Sequence, residues 1–351
     1  MLKKSNNWLL LFGMYLSFTT VSAQKRGTDS SAVCKEQGLC CDNDPTPAGV
    51  MISHAHAKNE WMASYRYMNM AMSGVMKGDG IISGSEVLQQ YNATPKEMRM
   101  NMHMFMLMYG ITDRLTVMGM LHYNSTWMKM NMKMGAGFHS HTMKTSGIGD
   151  VKLNAIYALL KQHHRQLLLS LGSSLPMGST NFKGKAGSMM YPEQRYPYNM
   201  QAGTGTMDVS GNLCYLARRG NFYYSIQAQA TVRTTNNAIG YRYGNEYGVI
   251  AWTAYHWLPV LSSSLRLEAV LSDRIHGSDP MLDPTLEIAA NPANYGGRRL
   301  NTYVGFVFQS DRQFLTSSKF CLEFGLPVYQ YYNGYQMRAD YNLLLTYNLS
   351  F

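Results

Sequence analysis

The chain ends Asp340-Tyr341-Asn342-Leu343-Leu344-Leu345-Thr346-Tyr347-Asn348-Leu349-Ser350-Phe351. Successive side chains of a strand point to opposite faces. The odd positions, from Tyr341 to Phe351, make an apolar face with aromatic ends. The even positions, Asp340, Asn342, Leu344, Thr346, Asn348 and Ser350, are nearly all polar. A transmembrane barrel turns such an apolar face to lipid and the polar face to its lumen.

Working back from this segment, the same patterning recurs near 61–72, 97–109, 114–124, 148–160, 165–176, 203–216, 221–233, 247–257, 263–274, 299–309, 318–330 and 338–351. Short connections (Gly110–Asp113, Lys161–His164, Ala217–Gly220, Leu258–Ser262, Ser310–Ser317) alternate with long ones (Ser73–Lys96, Ser125–Gly147, Met177–Ala202, Thr234–Glu246, Ile275–Arg298), with a brief loop at Asn333-Gly334. The expected fold is all-β, an antiparallel transmembrane β-barrel of twelve strands. Its short turns and both termini lie on the periplasmic side. Closure satisfies every backbone hydrogen bond between strands, as the hydrocarbon layer demands. A soluble propeller would show a blade-length repeat, and none is visible.

The other end reads differently. Lys3 and Lys4, an apolar run from Trp8 to Thr19 and Val21-Ser22-Ala23 before Gln24 have the form of a secretory signal over 1–23. Residues 24–60, with Cys34, Cys40, Cys41 and His54 and His56, read as a short periplasmic N-terminal extension or a plug, ahead of a barrel over 61–351. The three cysteines suit a periplasmic disulfide or a thiolate metal site. Cys214 and Cys321 read as small strand hydrophobes. Hydrophobic residues are 46% of the chain, with 25 Tyr, 31 Gly and 5 Cys. So many tyrosines suit a membrane–water boundary, and so few cysteines argue against a disulfide-stapled soluble domain. Outside the cytoplasm, the formal charge of +10 points away from nucleic acid and toward lipid headgroups or anionic solutes.

Methionine is the anomaly. Of 28, 19 fall between Met51 and Met143, many spaced by two. Thioether sulfur is a soft ligand suited to Cu(I) or Ag(I), and imidazole also binds copper. Met128, Met130, Met132 and Met134, followed by His139 and His141, fall in an expected outer loop and are the leading metal candidates. Met118, Met120 and His122 share one strand face and are expected in the lumen. For Met98–Met108 the opposite face begins Arg99, Asn101, His103, so that row is expected to face lipid as ordinary hydrophobes. Arg66, Arg99, Arg114, Arg233, Arg338 and Asp340 are the expected lumen-lining charges. No other cofactor is indicated.

Several segments resemble the family of outer-membrane barrel transporters labelled after the meta-pathway of phenol degradation. They are Ser146-Gly147-Ile148-Gly149-Asp150, Ser174-Leu175-Pro176-Met177-Gly178-Ser179, Gln201-Ala202-Gly203-Thr204-Gly205-Thr206-Met207-Asp208, and Leu326-Pro327-Val328-Tyr329-Gln330 before Gly334. The final Phe351 also resembles the ending by which a barrel-assembly machinery recognises such proteins. The resemblance implies a channel or transporter for small solutes or ions in the outer membrane of a Gram-negative bacterium, and no catalytic residues. The methionine-rich half departs from the family pattern, which counts against carrying over an aromatic substrate, and the Met/His-rich segments suggest copper handling as a secondary reading. Two alternatives come from other classes. One is a phospholipase-like hydrolase on His276 and Ser278, where Asp279-Pro280 replaces the Asn-Gly of that pattern. The other is an adhesion or structural barrel, with Tyr191, Tyr196 and Tyr198 in its outer loops.

Overall fold

The computed structural model describes residues 44–135, 137–184, 194–310 and 318–351. The signal segment 1–23, Cys34, Cys40, Cys41 and Tyr191 lie outside the described residues. The elements, in chain order, are β1 (Trp61–Gly78), β2 (Gly80–Ile82), α1 (Gly84–Gln90), β3 (Ala93–Gly110), β4 (Leu115–Met134), β5 (Gly137–Ile148), β6 (Val151–Gln162) and β7 (Arg165–Leu175). Then come β8 (Lys183–Gly184), β9 (Gln194–Arg195), β10 (Asp208–Arg219), β11 (Phe222–Arg233), β12 (Tyr241–Arg242), β13 (Glu246–Leu258), β14 (Leu261–Ser272), β15 (His276–Gly277), β16 (Gly297–Gln309) and β17 (Ser318–Ser350).

Among the described residues, eleven strands close an antiparallel ring in the order β1-β3-β4-β6-β7-β10-β11-β13-β14-β16-β17, with β17 pairing back to β1. Two further strands of this sheet lie off the ring, β2 folding back on β1 and β5 on the outer half of β4, while β8–β9 and β12–β15 form separate two-stranded pairs. The ring shows eleven elements where twelve strands are expected because 318–330 and 338–351 run on as one 33-residue element, unbroken at Asn333-Gly334. Lys319 to Tyr332 pair with β16, and Gln336 to Ser350 pair with β1. Pro327 sits at a register shift in that ladder; proline has no N–H to donate and is tolerated there.

The short turns gather at one end, where Trp61 and Phe351 exchange backbone hydrogen bonds of 2.9 Å and the seam closes. The outward face carries Phe105, Leu121, Leu171, Val249, Leu267 and Val304 among many exposed apolar side chains. An apolar exterior on a closed sheet is what a bilayer solvates.

Two expectations need correction. The segment 125–147 is a hairpin, β4–β5, and not a loop: period-two patterning continues past the membrane band, and Met128 pairs with Met143 and Met130 with His141. The Met98–Met108 row faces inward. Met98, Met104, Met106 and Met108 are buried while Phe105 and Leu107 are exposed. At 18 residues, β3 is longer than the ~10 residues that cross the hydrocarbon. Arg99, Asn101 and His103 lie on its outer half, away from the short turn, so an outward polar run there costs little.

Candidate functional site

Alternation and register divide the inner surface into two walls. On β1, β3 and β4 the inward positions run Met62–Met108–Met118, Ser64–Met106–Met120, Arg66–Met104–His122 and Met72–Met98–Met128 across neighbouring strands. Around the rest of the ring polar side chains, including Gln166, Ser170, Asp208, Gln227, Arg266 and Glu323, alternate with apolar ones such as Ile156, Leu168, Ile250 and Trp252, all buried. Among the described residues, two sizeable cavities lie between the walls. The outer one, about 290 Å³, is bordered by Met72, Met98, Met100, Met337, Tyr295 and Arg299. The inner one, about 280 Å³, is bordered by Met118, Met120, Lys152, Asp208, Gln227 and Glu268. Arg233 and Glu246 border both, so the cavities meet at a charged waist. There Arg233 pairs with Asp208.

Residues 44–60 cross the barrel interior at the short-turn end and floor the inner cavity with Gly49 and Ile52. Strand side chains hold this segment by its backbone. Arg66 donates to the Val50 carbonyl at 2.9 Å, Thr346 to that of Ala48 at 3.2 Å and Gln227 to that of Ile52 at 2.9 Å. The Gly49 N–H donates to Glu323, which also holds Arg266 in a fork at 3.0 and 3.2 Å. Arg266 lies over the Tyr303 ring at 3.6 Å. A Cβ on Gly49 would stand 2.0 Å from the Arg266 guanidinium, so only glycine passes this point. Burial would raise the Asp44 carboxyl, but Lys319, His54 and Thr46 outweigh it and hold the pKa well below the usual range.

The outer cavity is roofed by loop tyrosines. Tyr198 is buried against Tyr241 and Tyr295, with ring centroids 4.7 and 5.6 Å away. Its carbonyl accepts from Tyr243 at 2.6 Å, and its hydroxyl accepts from the Asp279 N–H at 3.0 Å. Asp279 in turn grips Arg195 at 2.6 Å. Beside this roof the glycine-rich motifs meet. Asp150 accepts from the Gly178 N–H at 2.9 Å and from the Thr204 N–H and hydroxyl at 2.8 Å. A Cβ on Gly178 would lie 2.6 Å from the Gly203 Cα, so the two loops touch backbone to backbone. Three of the four segments that carry the family resemblance therefore tie loops at the rim, while the fourth, at Leu326–Gln330, pairs with β16. Glu287, in the β14–β16 loop, has a buried Oε2 with no partner, and burial pushes its carboxyl up to about 7.

The other expected residues fall as follows. Arg66 is buried and inward, and Arg233 borders both cavities. Arg99 is on the exposed outward face, and Arg114 is exposed at the end of the β3–β4 turn. Arg338 and Asp340 pair with each other at 3.0 Å. They alternate with cavity-lining Met337 and Ala339, and so point to the other face. The parity of the last strand switches at a register shift opposite Ala71/Met72, which no alternation rule foresees. Met128 and Met130 are buried on the inward face, with His141 opposite Met130 and exposed His139 opposite Met132. Among the described residues, no group of three or more His, Cys, Asp or Glu side chains could hold a metal. His276 and Ser278 are exposed, no described hydrogen bond joins them, and the neighbouring Asp279 is committed to Arg195. The sequence reading missed Lys152, Asp208, Glu246, Arg299 and the Arg266–Glu323 pair. Their inward parity beside apolar outward neighbours was the available signal.

No family profile and no curated protein sequence matches the chain. Among solved structures, an outer membrane channel from Pseudomonas putida F1 superposes with a TM-score of 0.58 at 15% identity, over 86% of this chain and 100% of that one. The Pseudomonas putida toluene transporter TodX (TM-score 0.41, 9% identity, 89% and 97% covered) and the translocator domain of the autotransporter NalP from Neisseria meningitidis (0.46, 7%, 84% and 90%) share only the general shape. The fold is that of an outer-membrane β-barrel, and the outer membrane is where this chain resides.

Proposed function

We propose that the protein is an outer-membrane channel or transporter for small solutes, closed in the present state by a tyrosine roof and by residues 44–60. The observation that carries this reading is the pair of cavities in series, joined at Arg233 and Glu246. A purely structural barrel has no use for solvent-sized space between a charged waist and two closures built from separate segments. We count β17 as two passes, which makes twelve: its two halves pair antiparallel with different neighbours, and both its ends lie at the short-turn end. In the same reading, residues 24–60 form the N-terminal extension. The strand ending at Phe351 is what the assembly machinery reads, and lipid contacts the outward face. Likeness to the phenol meta-pathway transporters rests on the rim motifs, which specify architecture and no cargo. A soft metal ion is the cargo that suits the methionine wall, because thioether sulfur favours such ions.

The test is single-channel conductance in planar bilayers. The full protein is expected to conduct weakly or in bursts, and a variant lacking 44–56 to conduct steadily. Absence of conductance in both, with folded barrels confirmed by heat-dependent gel migration, would remove the channel reading.

A further inference from the structure

We infer that a row of methionine sulfurs in the outer half of the barrel is a binding site for a soft monovalent cation, Cu(I) or Ag(I). This deepens the channel reading and rests on it only for access, since the cation would reach the row through the outer cavity. Register sets Met72 opposite Met98, Met98 opposite Met128, and Met128 opposite Met143. Four thioethers therefore stand at one level on four adjacent strands, at cross-strand Cβ spacings of about 5 Å. Met98, Met128 and Met143 are 1%, 0% and 4% exposed. Met200, from the loop under the roof, and Met337, from β17, pack against them.

Two unpartnered polar atoms mark the same place. Asn199 Nδ2 donates to the Met98 sulfur at 3.6 Å, yet Asn199 Oδ1 is buried with no partner. His141 Nε2 is likewise buried without one, and His141 lies opposite Met130, the next inward position after Met128. A buried acceptor and a buried imidazole nitrogen left unsatisfied each cost free energy; a bound cation would relieve that cost.

Packing alone does not explain the residue choice. The six consecutive inward positions of β3 from 98 to 108 are all methionine, where leucine or isoleucine would fill a wall with better-defined rotamers. Neutral sulfur donors favour Cu(I) and Ag(I) and hold hard or strongly hydrated dications poorly. Bringing a single charge to an apolar wall also costs less desolvation than bringing two.

The test uses the full protein folded in detergent micelles. Ag(I) is titrated by calorimetry, and Cu(I) by anaerobic competition with a chromophoric chelator. Saturable binding of both is expected, with none for Zn(II), and X-ray absorption of the Cu(I) form should show a sulfur-dominated shell. Met98→Leu with Met128→Leu conserves volume and leaves the fold intact; it should weaken binding roughly tenfold or more, through loss of two soft donors. Met207→Leu, at an exposed position, should bind as the parent does. Absence of Ag(I) and Cu(I) binding in the parent, or parent-like affinity in the double variant, overturns the site. A barrel that conducts but does not bind retains the channel reading and loses the site. A barrel that binds but does not conduct does the reverse.

Discussion

The two walls of this barrel solve the same packing problem with different chemistry. The β1–β3–β4 wall fills most of its inward positions with flexible, neutral thioethers, with Ser64, Arg66 and His122 among them. The wall from β6 round to β17 sets buried amides, hydroxyls and ion pairs, among them the enclosed Arg266–Glu323, between apolar side chains such as Ile156, Leu168 and Trp252. A thioether wall tolerates change, because methionine adapts to gaps and leaves no polar atom stranded. A buried ionic wall does not, since removing one partner leaves an uncompensated charge. One side can therefore vary its contacts, while the other holds the floor segment in one place.

The largest expected effect breaks the polar wall. Glu323→Ala leaves Arg266 only the looser pair with Glu268 at 3.7 Å and frees the Gly49 N–H, and should cost about 3–5 kcal/mol. Urea unfolding in micelles measures the loss, and bilayer conductance should rise as the floor loosens. Next, Leu121→Arg puts a charge on the outward face beside the methionine wall and should cost about 2–4 kcal/mol. A cost below ~1 kcal/mol would mean that the inside–outside assignment of β3 and β4 is inverted.

The roof gives an intermediate effect with a sign. The Glu287 carboxyl is raised from 4.5 to about 7 when docked, so docking favours the neutral form. Its contribution is fully present below the undocked value and is lost as pH rises through about 7. The swing is roughly 3 kcal/mol. Hydrogen exchange of 283–296 should be faster at alkaline than at mildly acidic pH after correction for intrinsic rates, and Glu287→Gln should flatten the difference. The smallest effect belongs to the methionine wall. Met106→Leu or Met118→Leu should change stability by less than about 1.5 kcal/mol in the same unfolding assay. Equal sensitivity of the two walls would erase the contrast between them.

Much of the barrel was legible because strand alternation and connection length are local properties. The inward reading of Met118 and Met120 followed from Leu115, Val117 and Leu121 on the other face. The same reasoning failed for Met98–Met108, where Arg99, Asn101 and His103 are polar because β3 rises beyond the membrane. Polarity signals lumen only within the hydrocarbon band, and only the outward Phe105 and Leu107 nearer the turn mark that band. The hairpin at 125–147 was hidden for a related reason, since its inward methionines read as a loop without packing partners until β5 supplied them. Arg338 and Asp340 were misplaced by one register shift, which reverses the face of everything beyond it.

Sequence alone determined the class of fold. A period of two, terminal aromatics and alternating short and long connections depend only on which neighbours a residue has along the chain. Three things needed the tertiary structure: that residues 44–60 lie inside the ring, that the rim motifs meet at Asp150, and that Met72, Met98, Met128 and Met143 stand at one level. Each depends on interstrand register or on long-range closure, which bring together residues whose separation along the chain carries no periodic signal.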